Sequence, residues 1–183
     1  MKRGLLFTNH FLASPSFDTL YGLFDEAGAA CGVTLSRATG GDAVAPFDKH
    51  PAKDSDFVIF WDKDIAAARR ILRHGIPVFN APDAIRICDS KSETYEALRR
   101  ACIPTPRTLV APMTYETVGY TKEDFVAHAS AALGFPLVIK ECYGSFGEQV
   151  YLAHTLEEAC DTVKHIGTKP ILFQAFVASS FGT

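Results

Sequence analysis

Short apolar runs alternate with segments of helical periodicity through the first half of the chain. Apolar runs of buried-strand length occur at residues 4–8, 33–36, 57–61 and 76–79. Between them, helical spacing predicts one helix over residues 17–30 and a second that Asp62 would cap and Gly75 would end. A strand–helix–strand rhythm of this kind favours a parallel sheet that is covered by helices on both faces.

The pattern changes near residue 88. Helices are predicted from Asp89 or Ser90 to Cys102 and over residues 125–133 and 156–166. Strands are predicted over residues 108–110, 137–140, 150–153 and 171–177, with 137–140 and 150–153 forming a hairpin. The predicted fold class is therefore α/β, with a parallel-sheet domain over residues 1–88. A smaller α+β lobe with a largely antiparallel sheet follows over residues 89–183.

The last predicted strand is followed directly by the loop-like residues 179–183. No further helix or strand is predicted after it, so we expect an open sheet edge at this point. Either a partner or additional polypeptide would cover that edge.

Composition narrows the functional classes. The chain has 183 residues and a formal net charge of -3, without the basic excess typical of nucleic-acid binding. No apolar stretch approaches the ~18 residues that a membrane span needs. The five cysteines form no CxxC pair, and the six histidines show no metal-ligand spacing. These features predict a cytoplasmic protein with reduced thiols that binds neither nucleic acid nor membrane.

The most informative stretch is residues 136–150, in which a predicted strand delivers Lys140 and a glycine-containing loop follows. Gly144 and Gly147 would let backbone amides approach phosphate oxygens, while Ser145 adds a hydroxyl and Lys140 a positive charge. The order of residues is not that of a P-loop. Taken alone, two glycines between strands also fit an ordinary hairpin.

Other candidates carry less chemistry. Glu141 and Glu148 are interpreted as solvated loop residues, and Cys142 has no histidine at a recognisable spacing that would make it a nucleophile. Asn9 and His10 follow the first strand, where α/β folds bind ligands, and so suggest contact with an acceptor substrate.

Context strengthens the phosphate interpretation. Residues 79–85 read Phe-Asn-Ala-Pro-Asp-Ala-Ile, Lys91 opens the next predicted helix, and residues 103–108 read Ile-Pro-Thr-Pro-Arg-Thr. The strand and glycine loop of residues 136–150 follow, and then Gln-Ala-Phe-Val at 174–177. In this order the chain, from about residue 55 onward, resembles the ATP-grasp superfamily. Within it, the chain resembles the RimK-like group of carboxylate–amine ligases, which includes glutamate ligases.

The resemblance implies ATP as the bound nucleotide. The phosphate contacts would be Lys91, Lys140, Gly144, Ser145 and Gly147. The adenine contacts would be Val138, Gln174, Phe176 and Val177. The family loop often has a third glycine where Gln149 stands, so this lid would be stiffer or positioned differently. Mg2+ ligands would follow residue 183, so no catalytic or metal-binding residue is predicted within the chain.

The implied reaction of the parent protein is ATP-dependent formation of an amide or peptide bond through an acyl phosphate, with Mg2+ required. Its partners would be ATP, a carboxylate and an amine, with glutamate added to a peptide, protein or small molecule; a homo-oligomer is left open. The chain by itself is predicted to be inactive. Two alternatives remain: a naturally short, non-catalytic module that senses nucleotide or docks a partner, and another ATP-grasp branch such as the D-alanine ligases.

Overall fold

The computed structural model of the protein describes residues 2–144 and 147–178. The chain divides into two compact units, Met1–Arg86 and Ile87–Thr183. One four-stranded parallel sheet lies in the first unit and one four-stranded antiparallel sheet in the second. The predicted fold class is therefore confirmed.

The first unit contains a parallel sheet with strand order β2-β1-β3-β4. Its elements are β1 (Lys2–Thr8), α1 (Pro15–Ala30), β2 (Val33–Thr39), a 3-10 turn (Phe47–Lys49), β3 (Phe57–Trp61), α2 (Ile65–Arg73) and β4 (Val78–Phe79). Both faces of the sheet are packed, as the apolar runs predict. Alternate strand residues, including Phe7 and Phe60, form a buried cluster with Ala68 and Ile71 of α2. On the opposite face, Phe24 of α1 contacts Trp61.

The prediction that Asp62 caps α2 is wrong. Asp64 is the N-cap, and its carboxylate accepts a hydrogen bond from the backbone N–H of Ala67 at 2.9 Å. Asp62 instead accepts a hydrogen bond from the side-chain amide of Asn9 at 3.1 Å. A local pattern with two nearby aspartates does not distinguish them, because a long-range partner decides which one is free to cap.

The second unit follows α3 (Pro82–Asp89), which carries the chain across the division. Its further elements are α4 (Lys91–Arg100), β5 (Thr108–Val110), α5 (Asp124–Leu133), β6 (Leu137–Glu141), β7 (Val150–Ala153), α6 (Leu156–Ile166) and β8 (Ile171–Ala175). The helix predicted from Asp89 or Ser90 to Cys102 is α4, which begins at Lys91 and ends at Arg100. Helix α3 was not predicted, so two helices stand in this region. Ser90 separates them, because it adopts extended backbone angles and its hydroxyl caps α4.

The antiparallel sheet has the order β5-β8-β6-β7, and the predicted hairpin of β6 and β7 is confirmed. The expected open edge at the last strand is wrong, because β8 pairs with β5 on one side and β6 on the other. Strand β8 also ends at Ala175, two residues earlier than predicted.

Only one face of this sheet is covered by the core of the second unit. Helices α5 and α6 bury Val126, Val163 and their apolar neighbours against Leu137, Ile139 and Phe173. Because side chains alternate along a strand, Val138, Lys140 and Gln174 belong to the opposite face. In the part of the chain that the structure describes, no helix is long and apolar enough to cross a membrane.

Candidate functional site

The sheet face opposite α5 and α6 gathers polar residues from three neighbouring strands. Gln174 of β8 pairs in register with Thr108 of β5 on one side and with Val138 of β6 on the other. Lys140 lies two residues beyond Val138 and therefore on the same face. The pairing of distant strands thus brings together residues that lie up to 66 positions apart in sequence.

A chain of hydrogen bonds fixes the side chain of Lys140. Its ammonium Nζ donates to Oε1 of Gln174 at 2.7 Å. Nε2 of Gln174 donates to the hydroxyl of Thr108 at 2.8 Å, and this hydroxyl donates to the carbonyl of Pro106 at 2.9 Å. Since the Thr108 hydroxyl donates its one proton to Pro106, it can only accept from Gln174, which orients the amide. Oε1 of Gln174 is thereby directed to Lys140.

Lys91 reaches the same region from the first turn of α4. Its backbone N–H donates to the carbonyl of Cys142 at 2.8 Å, which ties the start of α4 to the end of β6. Its ammonium Nζ donates to the carbonyl of Gly144 at 3.0 Å. The helix start, the strand end and the beginning of the glycine loop are therefore held together by one residue.

A cavity of about 370 Å³ lies between α4 and this sheet face, within the ~300–1,000 Å³ typical of small-molecule sites. Two of its walls carry the ammonium groups described above. The lining consists of Cys88, Lys91, Thr94, Tyr95, Leu98, Thr105, Pro106, Lys140, Leu172 and Gln174. Three of the predicted nucleotide contacts, Lys91, Lys140 and Gln174, thus line a single cavity.

The electrostatics of this cavity favour an anion. Burial lowers the pKa of Lys140 below its usual value, and the positive charge of Lys91 lowers this pKa further. Both effects mean that the ammonium of Lys140 has less stabilisation than it would have in water. A negatively charged group bound between the two lysines would restore that stabilisation.

The glycine loop after β6 contains backbone that other residues rarely adopt. Gly144 has a φ of 128° and Gly147 a φ of 78°. A Cβ at Gly144 would also collide with the side-chain amide of Gln149. Oε1 of Gln149 is buried and has no hydrogen-bond partner among the described residues. The predicted contact Ser145 lies outside the described residues.

The remaining predicted adenine contacts lie at the margins of the site. Val138 is half-buried on the same sheet face as Gln174 but does not line the cavity. Phe176 and Val177 follow the last ladder pair, Leu137–Ala175, and are exposed by 47% and 62%. The structure therefore brings Lys91, Lys140, Gln174 and Gly144 together. Phe176 and Val177 lie apart from them, just beyond the end of β8.

Glu141 and Cys142, which precede the glycine loop, are both buried. Glu141 is not solvated as predicted: it is buried on the core face, where its carboxylate accepts hydrogen bonds from Lys169 at 2.9 and 3.0 Å and from Tyr151 at 3.0 Å. Cys142 is also buried, and burial raises the pKa of its thiol. A raised thiol pKa disfavours the thiolate, which argues against a nucleophilic role.

Thr108 is the most important residue to which the sequence assigns no role. It is buried, and its hydroxyl joins Gln174 to Pro106. The only signal for it was its place at the end of the Ile-Pro-Thr-Pro-Arg-Thr segment, where it was predicted as a strand residue. Among residues 2–144 and 147–178, no group of three or more His, Cys, Asp or Glu side chains could hold a metal ion.

A comparison with family models identifies the class to which this fold and cavity belong. The model of the RimK-like ATP-grasp domain matches residues 88–182, which is more than half of the chain. The chain therefore belongs to the RimK-like ATP-grasp family.

Curated relatives place the chain beside named synthases and ligases. Beta-citrylglutamate synthase B of Danio rerio is 32% identical over 124 residues, covering 66% of this chain and 29% of that protein. N-acetylaspartylglutamate synthase A of Homo sapiens is 30% identical over 124 residues, covering 66% and 30%. Alpha-aminoadipate–LysW ligase LysX of Saccharolobus solfataricus is 30% identical over 138 residues, covering 72% and 46%. The chain spans less than half the length of these relatives.

Solved structures agree with the fold. A RimK domain protein ATP-grasp from Sphaerobacter thermophilus aligns with a TM-score of 0.72 at 21% identity, covering 98% of this chain and 65% of that chain. D-alanine–D-alanine ligase from Bacillus anthracis aligns with a TM-score of 0.72 at 18% identity, covering 98% and 59%. At these identities the likeness shows the fold alone, so it does not select the D-alanine ligase branch.

Proposed function

We propose that the second unit is the ATP-binding small lobe of an ATP-dependent carboxylate–amine ligase. The observation that carries this proposal is the meeting of two ammonium groups, Lys91 and Lys140, in one cavity of the RimK-like ATP-grasp domain. The destabilised ammonium of Lys140 is suited to a polyphosphate, because bound oxyanions would supply the charge compensation that the folded protein lacks.

Each residue has a distinct part in holding ATP. Lys140 and Lys91 bind phosphate oxygens, and their present partners, Gln174 and the carbonyl of Gly144, keep both ammonium groups in place before binding. Gln174 presents Oε1 as a hydrogen-bond acceptor, which suits the amino group of adenine. Val138 and Phe176 add apolar surface beside the base, and the backbone of Phe176 and Val177 binds its edge.

The glycine loop is proposed to close over the phosphates. Backbone with positive φ at Gly144 and Gly147 lets successive amides turn toward an anion, as in other backbone anion sites. A closed loop would exclude water from a reactive phosphorylated species. Ser145 is assigned to this loop from the family resemblance.

The overall reaction follows the same proposal. The γ-phosphoryl group of ATP is transferred to a carboxylate, which gives an acyl phosphate and releases ADP. An amine then attacks the acyl carbon, forms the amide bond and displaces inorganic phosphate. Glutamate is the favoured amine, because two relatives are named as synthases of compounds that contain glutamate, beta-citrylglutamate and N-acetylaspartylglutamate. The described residues of this chain offer no magnesium cluster, so we assign no metal ligand within it. A cytoplasmic location remains part of the proposal.

Calorimetric titration of the 183-residue chain tests the binding step. ATP, ADP and adenosine are titrated in separate runs, with and without Mg2+. We expect ATP to bind more tightly than ADP and adenosine to bind weakest, since each phosphate removed takes away negative charge that the two lysines would otherwise bind. Absence of ATP binding, or adenosine binding as tightly as ATP, would contradict the assignment of the cavity.

A separate measurement tests the chemistry. The protein expressed from its complete gene is assayed for phosphate release with ATP, a carboxylate such as citrate or N-acetylaspartate, and glutamate. We expect release that depends on both co-substrates. Release that is indifferent to every amine offered would contradict amide-bond formation while leaving the ATP site intact.

A further inference from the structure

A second cavity lies wholly within the first unit and is not used by the proposed nucleotide site. Its volume is about 370 Å³, as large as the cavity at the two lysines. It is lined by Asn9, Leu12, Phe17, Tyr21, Phe60, Trp61, Asp62, Lys63 and Asn80. Aromatic side chains therefore meet a small number of polar groups, which is the composition typical of small-molecule sites.

The topology of the sheet explains why a cavity forms here. In the strand order β2-β1-β3-β4, the chain moves from β1 to β2 on one side and then to β3 and β4 on the other. The order therefore reverses between β1 and β3. In open parallel sheets, ligands bind outside the carboxyl ends of the strands at such a switch point. Asn9 directly follows β1, and Asp62 directly follows β3.

These two residues build a fixed polar end to the cavity. Oδ1 of Asp62 accepts hydrogen bonds from the side-chain amide of Asn9 at 3.1 Å and from the backbone N–H of Lys63 at 2.6 Å. Oδ1 of Asn9 accepts from the backbone N–H of Phe11 at 2.9 Å, which fixes the orientation of the Asn9 amide. Within residues 2–144 and 147–178, Oδ2 of Asp62 accepts no hydrogen bond, so this carboxylate keeps one acceptor for a ligand.

The aromatic residues set the character of the rest of the cavity. Phe17 and Tyr21 of α1 are stacked with their ring centroids 6.0 Å apart, and Trp61 meets Phe24 edge-on at 5.3 Å. Trp61 remains 40% exposed. Aromatic surface beside a carboxylate attracts organic cations, through the ring quadrupole and the ion pair together. Lys63 is the other charged lining residue, but its side chain is exposed while Asp62 is partly buried.

We propose that this cavity binds a small primary amine that carries an apolar or aromatic body. The protonated amine donates to Oδ2 of Asp62, and the body of the ligand lies against Trp61 and Tyr21. The inference rests on the first unit alone and does not depend on the proposed ATP site.

Tryptophan fluorescence gives a local readout, because Trp61 is the only tryptophan of the chain. The whole chain is titrated with phenethylamine and, in parallel, with 3-phenylpropionate, which has a similar body and the opposite charge. Free N-acetyltryptophanamide corrects for collisional quenching. We expect a saturable change with the amine in the millimolar range, as ligands of this size usually give, and a much weaker change with the carboxylate.

Asp62→Asn tests the carboxylate, since an asparagine oxygen still accepts from Asn9 and Lys63 and so preserves the local bonds. Asp54→Asn is the matched control, because Asp54 is exposed and does not line the cavity. We expect Asp62→Asn to weaken phenethylamine binding by roughly five- to tenfold and the control to leave it unchanged.

Three results would overturn the proposal: no saturable response to the amine, equal binding of the carboxylate, or equal amine affinity in the two variants. If Asp62→Asn does not fold, the comparison of the two probes on the unaltered chain still decides the sign of the charge that the cavity prefers.

Discussion

Lys140→Met is the substitution that tests the proposed ATP site most directly. Methionine keeps the length and the apolar stem of the side chain but removes the ammonium that donates to Gln174 at 2.7 Å. If Lys140 holds a phosphate, the variant loses a charge-assisted hydrogen bond to an anion. Lys91 remains to bind the other oxygens.

The size of the effect follows from that contact. A hydrogen bond to a charged group contributes about 1.5–3 kcal/mol, which corresponds to a roughly 10- to 150-fold loss of ATP affinity. Stability should change much less. The variant leaves Oε1 of Gln174 without its donor, but it also removes the desolvated charge and its repulsion by Lys91. We expect these opposing effects to cancel to within about 1 kcal/mol.

The assay is calorimetric titration with ATP, accompanied by urea unfolding of each variant. Lys122→Met is the matched control, since Lys122 is exposed in the same unit and does not line the cavity. An affinity of Lys140→Met within about twofold of the control would refute the reasoning, because salt bridges of that strength are typical of exposed groups rather than of a phosphate contact. A large loss of stability in Lys140→Met would refute the expectation that the opposing effects on the free energy of unfolding cancel.

Three further predictions concern neighbouring features. Thr108→Val should weaken ATP binding by roughly three- to tenfold, because Gln174 loses the hydroxyl that orients its amide. Thr108→Ser keeps a hydroxyl and should bind ATP to within about twofold of the original chain. Equal losses in both variants would contradict the role of the hydroxyl. Gly144→Ala should weaken ATP binding by roughly fivefold or more, and Gly147→Ala should weaken it less. Both residues have a positive φ, but only a Cβ at Gly144 would collide with Gln149. The reverse order of affinities in the same titration would show that this collision is unimportant. Burial first, and then the charges of Arg70 and His74, lower the pKa of His50 below 6.5, so the unfolded chain takes up a proton that the folded chain resists. The stability contributed by neutral His50 is therefore complete above pH 6.5 and is lost as the pH falls below it. The free energy of unfolding in urea, measured at about pH 7.5 and about pH 5.5, should differ less in His50→Gln than in the original chain. An equal pH effect in both proteins would remove His50 as the cause.

Local signals were sufficient for most of the helices and strands. Residues 156–166 were predicted as a helix and form one, because Thr155 caps the first turn and Gly167, with a φ of 78°, ends the last. The strand at residues 57–61 was equally clear, since five consecutive apolar residues follow two aspartates. Helix α3 was missed because its eight residues are too short to show a full periodic pattern.

The components of the proposed nucleotide site could be predicted only in part. Lys91, Lys140, Gly144 and Gln174 were found through the order of motifs along the chain, which is a one-dimensional signal. Their contacts with one another were not predictable in this way. The bond from Lys140 to Gln174 spans 34 residues and exists because β6 and β8 pair in one particular register.

Thr108 and Asp62 show the same limit most clearly. Each belongs to a local pattern that gave it an ordinary role, as a strand residue and as a helix cap, and each is instead held by a partner more than 50 residues away. The sequence by itself determined most of the helices and strands, the class of sheet in each unit and the residue types that suit a polyphosphate. The tertiary structure decided which side chains share a cavity, because strand order and register depend on long-range pairing that no window of neighbouring residues contains.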